Sequence, residues 1–282
     1  MKTLCIVGLG MIGGSLAAGL KQAGYEGKIT ALVRSPGGGE RGLELGYIDE
    51  FSTNAADLIP TADIVMLAVP MLSMRSQLVA IKPYLKADTV VTDAGSVKTP
   101  FITDAKSVLG SLARVVPGHP IAGREKTGVD AADPVLYQGR RVLLTPSEET
   151  EDDAIESVRS LWILTGANVE TLEPEQHDRV LAATSHLPHV LAFALVDTLA
   201  TQQEAEEIFR YAAGGFRDFS RIASSDAVMW RDVCLSNRDA ILDSMDRLDM
   251  HIKKLRASIA DGDGQAIEDT FKRAKKARDE YT

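Results

Sequence analysis

Short apolar runs recur along the first part of the chain, set between polar and glycine-marked turns. Residues 4–7, 29–33, 63–69 and 89–92 are such runs, and 141–145 and 168–171 follow them. Runs of this length and composition predict strands buried on both faces. Helices are expected from Met11 to Ala23, closed by Gly24, and over 74–85 and 151–165. Strands alternating with helices predict a doubly wound, mostly parallel α/β sheet. From His177 onward the strand pattern stops. Residues 177–199 are apolar on almost every face, which predicts a helix buried in a core or against a second copy of itself. Pro188 lies within it and should kink it and free a carbonyl. A long helix is expected over 229–260, broken by Asp261, Gly262, Asp263 and Gly264, with a last helix to Tyr281. Pro174 and its polar neighbours mark the boundary between residues 1–172, a nucleotide-type sheet domain, and 173–282, an all-α domain.

Composition narrows the classes. The chain has 282 residues, 45% of them apolar, which suffices for a sizeable core. Its net charge is −9, from 31 basic and 40 acidic residues, with no basic run. That argues against nucleic acid and anionic membrane as partners. No stretch approaches the roughly 20 apolar residues of a membrane span. The first residues meet Gly8 and Gly10 too soon for a signal peptide. Cys5 and Cys234 lie far apart, in an expected strand and an expected helix, which suits a reduced, cytoplasmic protein.

The first strand leads straight into Gly8-Leu9-Gly10-Met11-Ile12-Gly13, a G-x-G-x-x-G turn between strand and helix. That context is the one a dinucleotide site of the Rossmann type requires. Gly8 permits the turn, Gly10 admits a pyrophosphate, and Gly13 lets helix and strand pack closely. Free N–H groups and the helix dipole then hold the phosphates. The cofactor is expected along Gly8, Gly10, Met11, Ile12 and Gly13, at Arg34 and Ser35, and at Val69 and Pro70. NAD sites usually carry a carboxylate where Arg34 and Ser35 stand. A cation and a hydroxyl there accept a 2′-phosphate, so NADP is favoured over NAD.

Candidate chemistry lies in loops at the strand ends, where such sheets bind ligands. Ser96, in Asp93-Ala94-Gly95-Ser96-Val97-Lys98, is placed either to bond a substrate hydroxyl or to cap a helix starting near Val97. Lys98 reaches a carboxylate or completes the loop. His119, in Gly118-His119-Pro120-Ile121-Ala122-Gly123, is a candidate general base, since neutral imidazole suits that role near neutral pH. Ser185 and His189 share a helix face, while His186 points elsewhere and reads as structural. The two histidines lack a third ligand, so no metal is expected. The 213–222 stretch holds Arg217, Asp218 and Arg221; one arginine is expected to bind a substrate carboxylate and the other to pair with the aspartate.

Together these motifs, with Ser185-His186-Leu187-Pro188-His189 and Gly214-Gly215-Phe216-Arg217-Asp218, resemble the prephenate and arogenate dehydrogenases of tyrosine biosynthesis. The resemblance runs from near residue 4 to about residue 240. It implies oxidative decarboxylation of a cyclohexadiene, with hydride passing to NAD or NADP. On that template His119 takes the hydroxyl proton and Ser96 bonds the same centre. Arg221 clamps a substrate carboxylate, His189 and Ser185 lie near the side chain, and Glu125 and Gly214 also line the substrate. It further implies a homodimer with intertwined helical domains. Two features depart from the family pattern: Arg124 at the pocket rim, and Arg34 in place of an acidic residue. No fused chorismate mutase or regulatory domain is expected, so inhibition by tyrosine, if it occurs, should be competitive. Prephenate, or use of both substrates, is favoured over arogenate alone. The rivals are a β-hydroxyacid or 6-phosphogluconate type dehydrogenase, which depends on a lysine in the helical domain, and a dinucleotide-binding regulator without catalysis.

Overall fold

Alternate residues of the first strand feed two different cores. The computed structural model describes residues 2–124 and 126–281. In it, Leu4 and Ile6 of β1 (Leu4–Val7) pack on one face of a sheet with Leu16, Leu20 and Trp162. Cys5 and Val7 face the other way, towards Leu78, Phe101 and Val233. The two-residue period of a strand thus sets which helices cover which side. β1 pairs in parallel with β2 (Ile29–Leu32) and β4 (Ile64–Leu67). The sheet extends beyond β2 to β3 (Glu50–Ser52), and beyond β4 to β5 (Val90–Asp93) and β6 (Val115–Val116), all parallel. The order β3-β2-β1-β4-β5-β6 reverses between β1 and β4. A ligand crevice belongs at the carboxyl ends of those two strands.

Helix α1 (Met11–Gln22) covers the first face with α6 (Asp152–Leu164). Helices α4 (Met74–Ile81) and α5 (Thr99–Leu109) cover the second. The helix expected over 74–85 ends at Ile81, because Pro83 turns the chain into a 3₁₀ segment. Pro36 and the three glycines after it, which carry no helix signal of their own, begin α2 (Pro36–Glu44), which leads through β3 to a short α3 (Ala55–Leu58). A Cβ on Gly39 would lie 2.3 Å from Phe51, so that glycine serves close packing. The 141–145 and 168–171 runs are strands, as expected, but not of this sheet. They form β8 (Arg141–Leu144) and β9 (Asn168–Thr171) of a separate sheet, with β7 (Gly118–Pro120) antiparallel to β8. Pro117 has no N–H for the main ladder, and the chain changes sheets there.

The apolar helix expected over 177–199 is interrupted. α7 (Pro174–Leu181) widens into a π-turn at Ala182–His186 before α8 (Leu187–Ala200). Pro188 follows directly on the π-turn, inside a helical run that does not break, so its missing N–H falls where the irregularity was expected. Nor is this helix buried within the chain: Val180 is 43% exposed and Leu195 36%. By length and composition alone, Pro174–Ala200 could cross a membrane, contrary to the expectation that no stretch could. Then follow α9 (Ala205–Arg210), α10 (Gly214–Ser220), a 3₁₀ turn at Arg221–Ser224, and α11 (Ala227–Ser236). The helix expected over 229–260 breaks at Asn237, whose side chain turns inward to Asp178 and His186.

By packing, the chain divides between Arg238 and Asp239. The second unit holds most of α12 (Arg238–Ala260), a turn at Gly262 and α13 (Gly264–Tyr281). Asp263 accepts the N–H of Ala266, a helix-capping role in keeping with a turn residue.

Candidate active site

The β1–α1 turn has the form a dinucleotide needs. Gly8 has φ +95°, which only glycine adopts without strain. A Cβ on Gly13 would lie 2.4 Å from the Gly8 carbonyl, so helix and strand touch backbone to backbone. Gly10 caps α1 and faces open space. Met11 and Ile12 form its first turn, without an acidic side chain to compete for an anion. Val69 lies against Gly8, with Pro70 next to it at the end of β4. Arg34 and Ser35 are exposed at the end of β2, with Ser35 at the N-cap of α2. These residues fit a dinucleotide laid across the carboxyl ends of β1, β2 and β4.

His119 stands in β7, just past the end of β6, and its setting is almost entirely polar and buried. Asp93, the last residue of β5, forms an ion pair with Lys98, both side chains being shut off from solvent. The Lys98 ammonium also donates to the Gly118 carbonyl at 2.6 Å. Asp93 accepts the N–H groups of Gly95 at 2.8 Å and Gly118 at 3.2 Å. Burial pushes the Asp93 carboxyl up and the Lys98 ammonium down, each against the pull of the other. Lys98 therefore reaches a carboxylate, that of Asp93, and completes the loop at the same time. Gly118, just before His119, is thus held at both its N–H and its carbonyl.

His119 Nδ1 lies 2.9 Å from His177 Nε2, and His177 Nδ1 lies 2.8 Å from Asp178 Oδ1. Asp178 also accepts the N–H groups of Lys98 at 2.8 Å and Thr99 at 2.9 Å. It thus caps α5, which begins at Thr99, and Ser96 does not. The alternative cap role for Ser96 fails because the helix starts three residues later than Ser96. Ser96 is half-buried in the loop between β5 and α5, two residues from the amine that bonds Gly118. Burial first, then His177, Lys98 and His186, hold the His119 imidazolium well below its usual pKa. His119 is therefore neutral at neutral pH, as a base must be.

On the helical side, His189 stacks on Trp230 with ring centroids 3.7 Å apart, and its Nδ1 donates to the Ser185 carbonyl at 2.8 Å. His186 is buried beside Asn237, 3.0 Å away, and burial pushes its pKa down to about 4. The 3₁₀ turn at Arg221–Ser224 and helix α10, which begins at Gly214, both pack on α8. Arg221, Gly214 and Arg217 are exposed there. Arg124 is ion-paired with Asp133. Glu125 lies outside the described residues. Among the described residues no cluster has the makings of a metal site.

Sequence reasoning passed over His177, Asp178, Trp230 and Asn237. A trace of the first two was visible: adjacent histidine and aspartate open an otherwise apolar helix. Their partners lie 58 and 80 residues away.

The chain matches two family models: the prephenate dehydrogenase nucleotide-binding domain over residues 16–171, and the prephenate dehydrogenase dimerization domain over 173–273. It is 36% identical to a cyclohexadienyl dehydrogenase of Zymomonas mobilis, covering 98% of this chain and 95% of that one. It is also 36% identical to a prephenate dehydrogenase of Bacillus subtilis, covering 98% of this chain and 75% of the relative. The fold superposes on the crystal structure of prephenate dehydrogenase from A. aeolicus in complex with hydroxyphenyl propionate and NAD+. The TM-score is 0.93 at 38% identity, covering 100% of this chain and 99% of that chain. A Synechocystis arogenate dehydrogenase superposes with TM-score 0.84 at 27% identity, covering 99% of this chain and all of the other. The cofactor is a nicotinamide dinucleotide, and the chain belongs to the prephenate dehydrogenase family.

Proposed function

We propose that this protein oxidatively decarboxylates prephenate to 4-hydroxyphenylpyruvate, with His119 as general base. One observation supports this above others: His119 is neutral and half-buried, and its Nδ1 is engaged by His177, which leaves Nε2 for a ligand. Nε2 takes the proton of the ring hydroxyl, with Ser96 bonding the same oxygen. Electron density on the adjoining carbon rises, which favours departure of its hydrogen with the electron pair. Bound nicotinamide supplies the acceptor for that hydride. The ring carboxylate leaves as carbon dioxide, and its bonding pair enters the ring, which becomes aromatic. His119 returns the proton to the same oxygen, now phenolic, so the step has no net proton change. Arg221 holds a substrate carboxylate, with His189, Ser185, Gly214 and Glu125 around the side chain.

Three finer points belong to the same reading. Arg34 and Ser35 favour NADP over NAD. The exposed apolar side of α8, including Leu195, is covered by a second copy in a homodimer. Free Cys5 and Cys234 fit the reducing cytoplasm. The residue roles, and a division into 1–172 and 173–282, are part of the proposal.

The test is absorbance at the reduced-nicotinamide band, with prephenate and with arogenate, each with NAD and NADP. Turnover of prephenate is expected. A strong preference for arogenate replaces prephenate with the amino analogue in this reading. Silence on both substrates, with cofactor still bound, leaves a non-catalytic dinucleotide-binding regulator. The NADP lean fails if NAD is clearly preferred and Arg34→Asp leaves the ratio unchanged.

A further inference from the structure

A line of three side chains joins helix α7 to the strand that carries His119. Asp178 accepts from His177 Nδ1 at 2.8 Å, and His177 Nε2 meets His119 Nδ1 at 2.9 Å. The direction of every proton in this line is set at its charged end. Asp178 is a carboxylate and can only accept. Burial alone would raise its pKa, but its bonds from His177, Thr99 and Lys98 outweigh burial and hold it below the usual range. The proton between Asp178 and His177 therefore sits on His177 Nδ1. A neutral imidazole has one N–H, so His177 Nε2 is bare. A bare nitrogen accepts, so the proton facing it sits on His119 Nδ1. That leaves the lone pair of His119 on Nε2.

We propose that His177 and Asp178 are positioning residues that lock His119 in the tautomer whose Nε2 is free to take a proton. The inference rests on the reading of His119 as the base. When His119 becomes an imidazolium, its Nδ1–H is already directed at an acceptor backed by a carboxylate, so no group has to reorient.

The other charged and titratable groups nearby leave this line intact. The Lys98 ammonium is taken up by Asp93 and the Gly118 carbonyl. His186 is bonded to Asn237 through its Nδ1. His189 is stacked on Trp230 and bonded to Ser185. Burial lowers the pKa of His177 despite the pull of Asp178 and Asp93, with Lys98 adding to the lowering, so His177 stays neutral at neutral pH. Asp178 does a second job with the same carboxylate. By accepting from Lys98 and Thr99 it fixes the start of α5 and the loop before it, which carries Ser96. One side chain of α7 thus aligns both groups assigned to the substrate hydroxyl.

The test is ring-nitrogen NMR of the full-length ¹⁵N-labelled protein without substrate, together with turnover of two variants. The His119 signals, identified by their loss in His119→Asn, should show a protonated Nδ1 and a bare Nε2. In His177→Gln the amide oxygen can still accept from His119 and its nitrogen can still donate to Asp178. That variant should keep the tautomer and lose no more than about 10-fold in kcat. His177→Leu can do neither. It should give a mixed tautomer and lose about 100-fold in kcat, with KM and cofactor affinity little changed. A wild-type spectrum with the proton on Nε2 overturns the inference. So does a folded His177→Leu protein with kcat within about threefold of wild type. If His177→Leu does not fold, the wild-type spectrum decides alone. The spectrum needs no substrate. A correct tautomer in a protein inert to prephenate and arogenate sinks the proposed reaction and leaves the positioning intact.

Discussion

His119 pairs ordinary chemistry with an unusual setting, and both are measurable. Replacement by Asn should reduce turnover by at least about 100-fold. Reduced-cofactor titration should give nearly wild-type affinity, because the dinucleotide turn is elsewhere. Burial keeps the ring neutral below the usual histidine value of about 6.5. The acid limb of kcat/KM should therefore lie below pH 6.5, and an acid limb above it would contradict this setting. Stability should follow pH in the same sense. His119, His177 and His186 all have folded pKa values below their unfolded ones. Below about pH 6.5 the unfolded chain binds more protons than the folded one, so stability falls as pH falls. With its pKa pushed down to about 4, His186 alone contributes roughly 3 kcal/mol of that loss by the time pH reaches its folded pKa. Thermal melting between pH 7 and 4 checks it. His119 and Ser96 were legible because glycine and proline mark their loops. His177 and Asp178 were not, because a histidine–aspartate pair acquires meaning only from what folds against it.

Among the elements, α1 shows how sharply backbone contact constrains a side chain. Gly13→Ala places a Cβ where the Gly8 carbonyl already lies 2.4 Å away, so α1 must shift off β1. A loss of about 1–3 kcal/mol is expected in denaturant unfolding. Cofactor affinity should fall with it, because the phosphate-binding N–H groups move with the helix. The alternating strands and helices were readable from hydrophobic runs alone. Helix α2 was not, since glycines 37–39 carry no helix signal until Phe51 is seen to occupy the space a Cβ would need at Gly39. The π-turn at Ala182–His186 lies just before Pro188, where an irregularity was expected from the proline alone; its form, a widened turn that seats His186 beside Asn237, was not readable locally.

For the whole molecule, the apolar surface of α8 is the feature a single chain leaves unexplained. Its all-round hydrophobicity was plain in the sequence, and the structure leaves Leu195 of α8 exposed, with Val180 of the preceding α7. The dimerization-domain match covers this helix, which gives that apolar surface an occupant in a second copy. Light scattering should give about twice the chain mass at micromolar concentration, and Leu195→Glu should shift the population towards monomer. A wild-type monomer would leave α8 to another partner. The ion pair under His119 has a consequence of a different kind. Lys98 is wholly enclosed, while the chain's surface lysines point into water. An amine-acylating reagent should label those within seconds and reach Lys98 only when the loop beneath the base opens. The rate of that one modification, followed by peptide mass spectrometry, would act as a clock for the opening of the loop that carries Ser96 and Lys98.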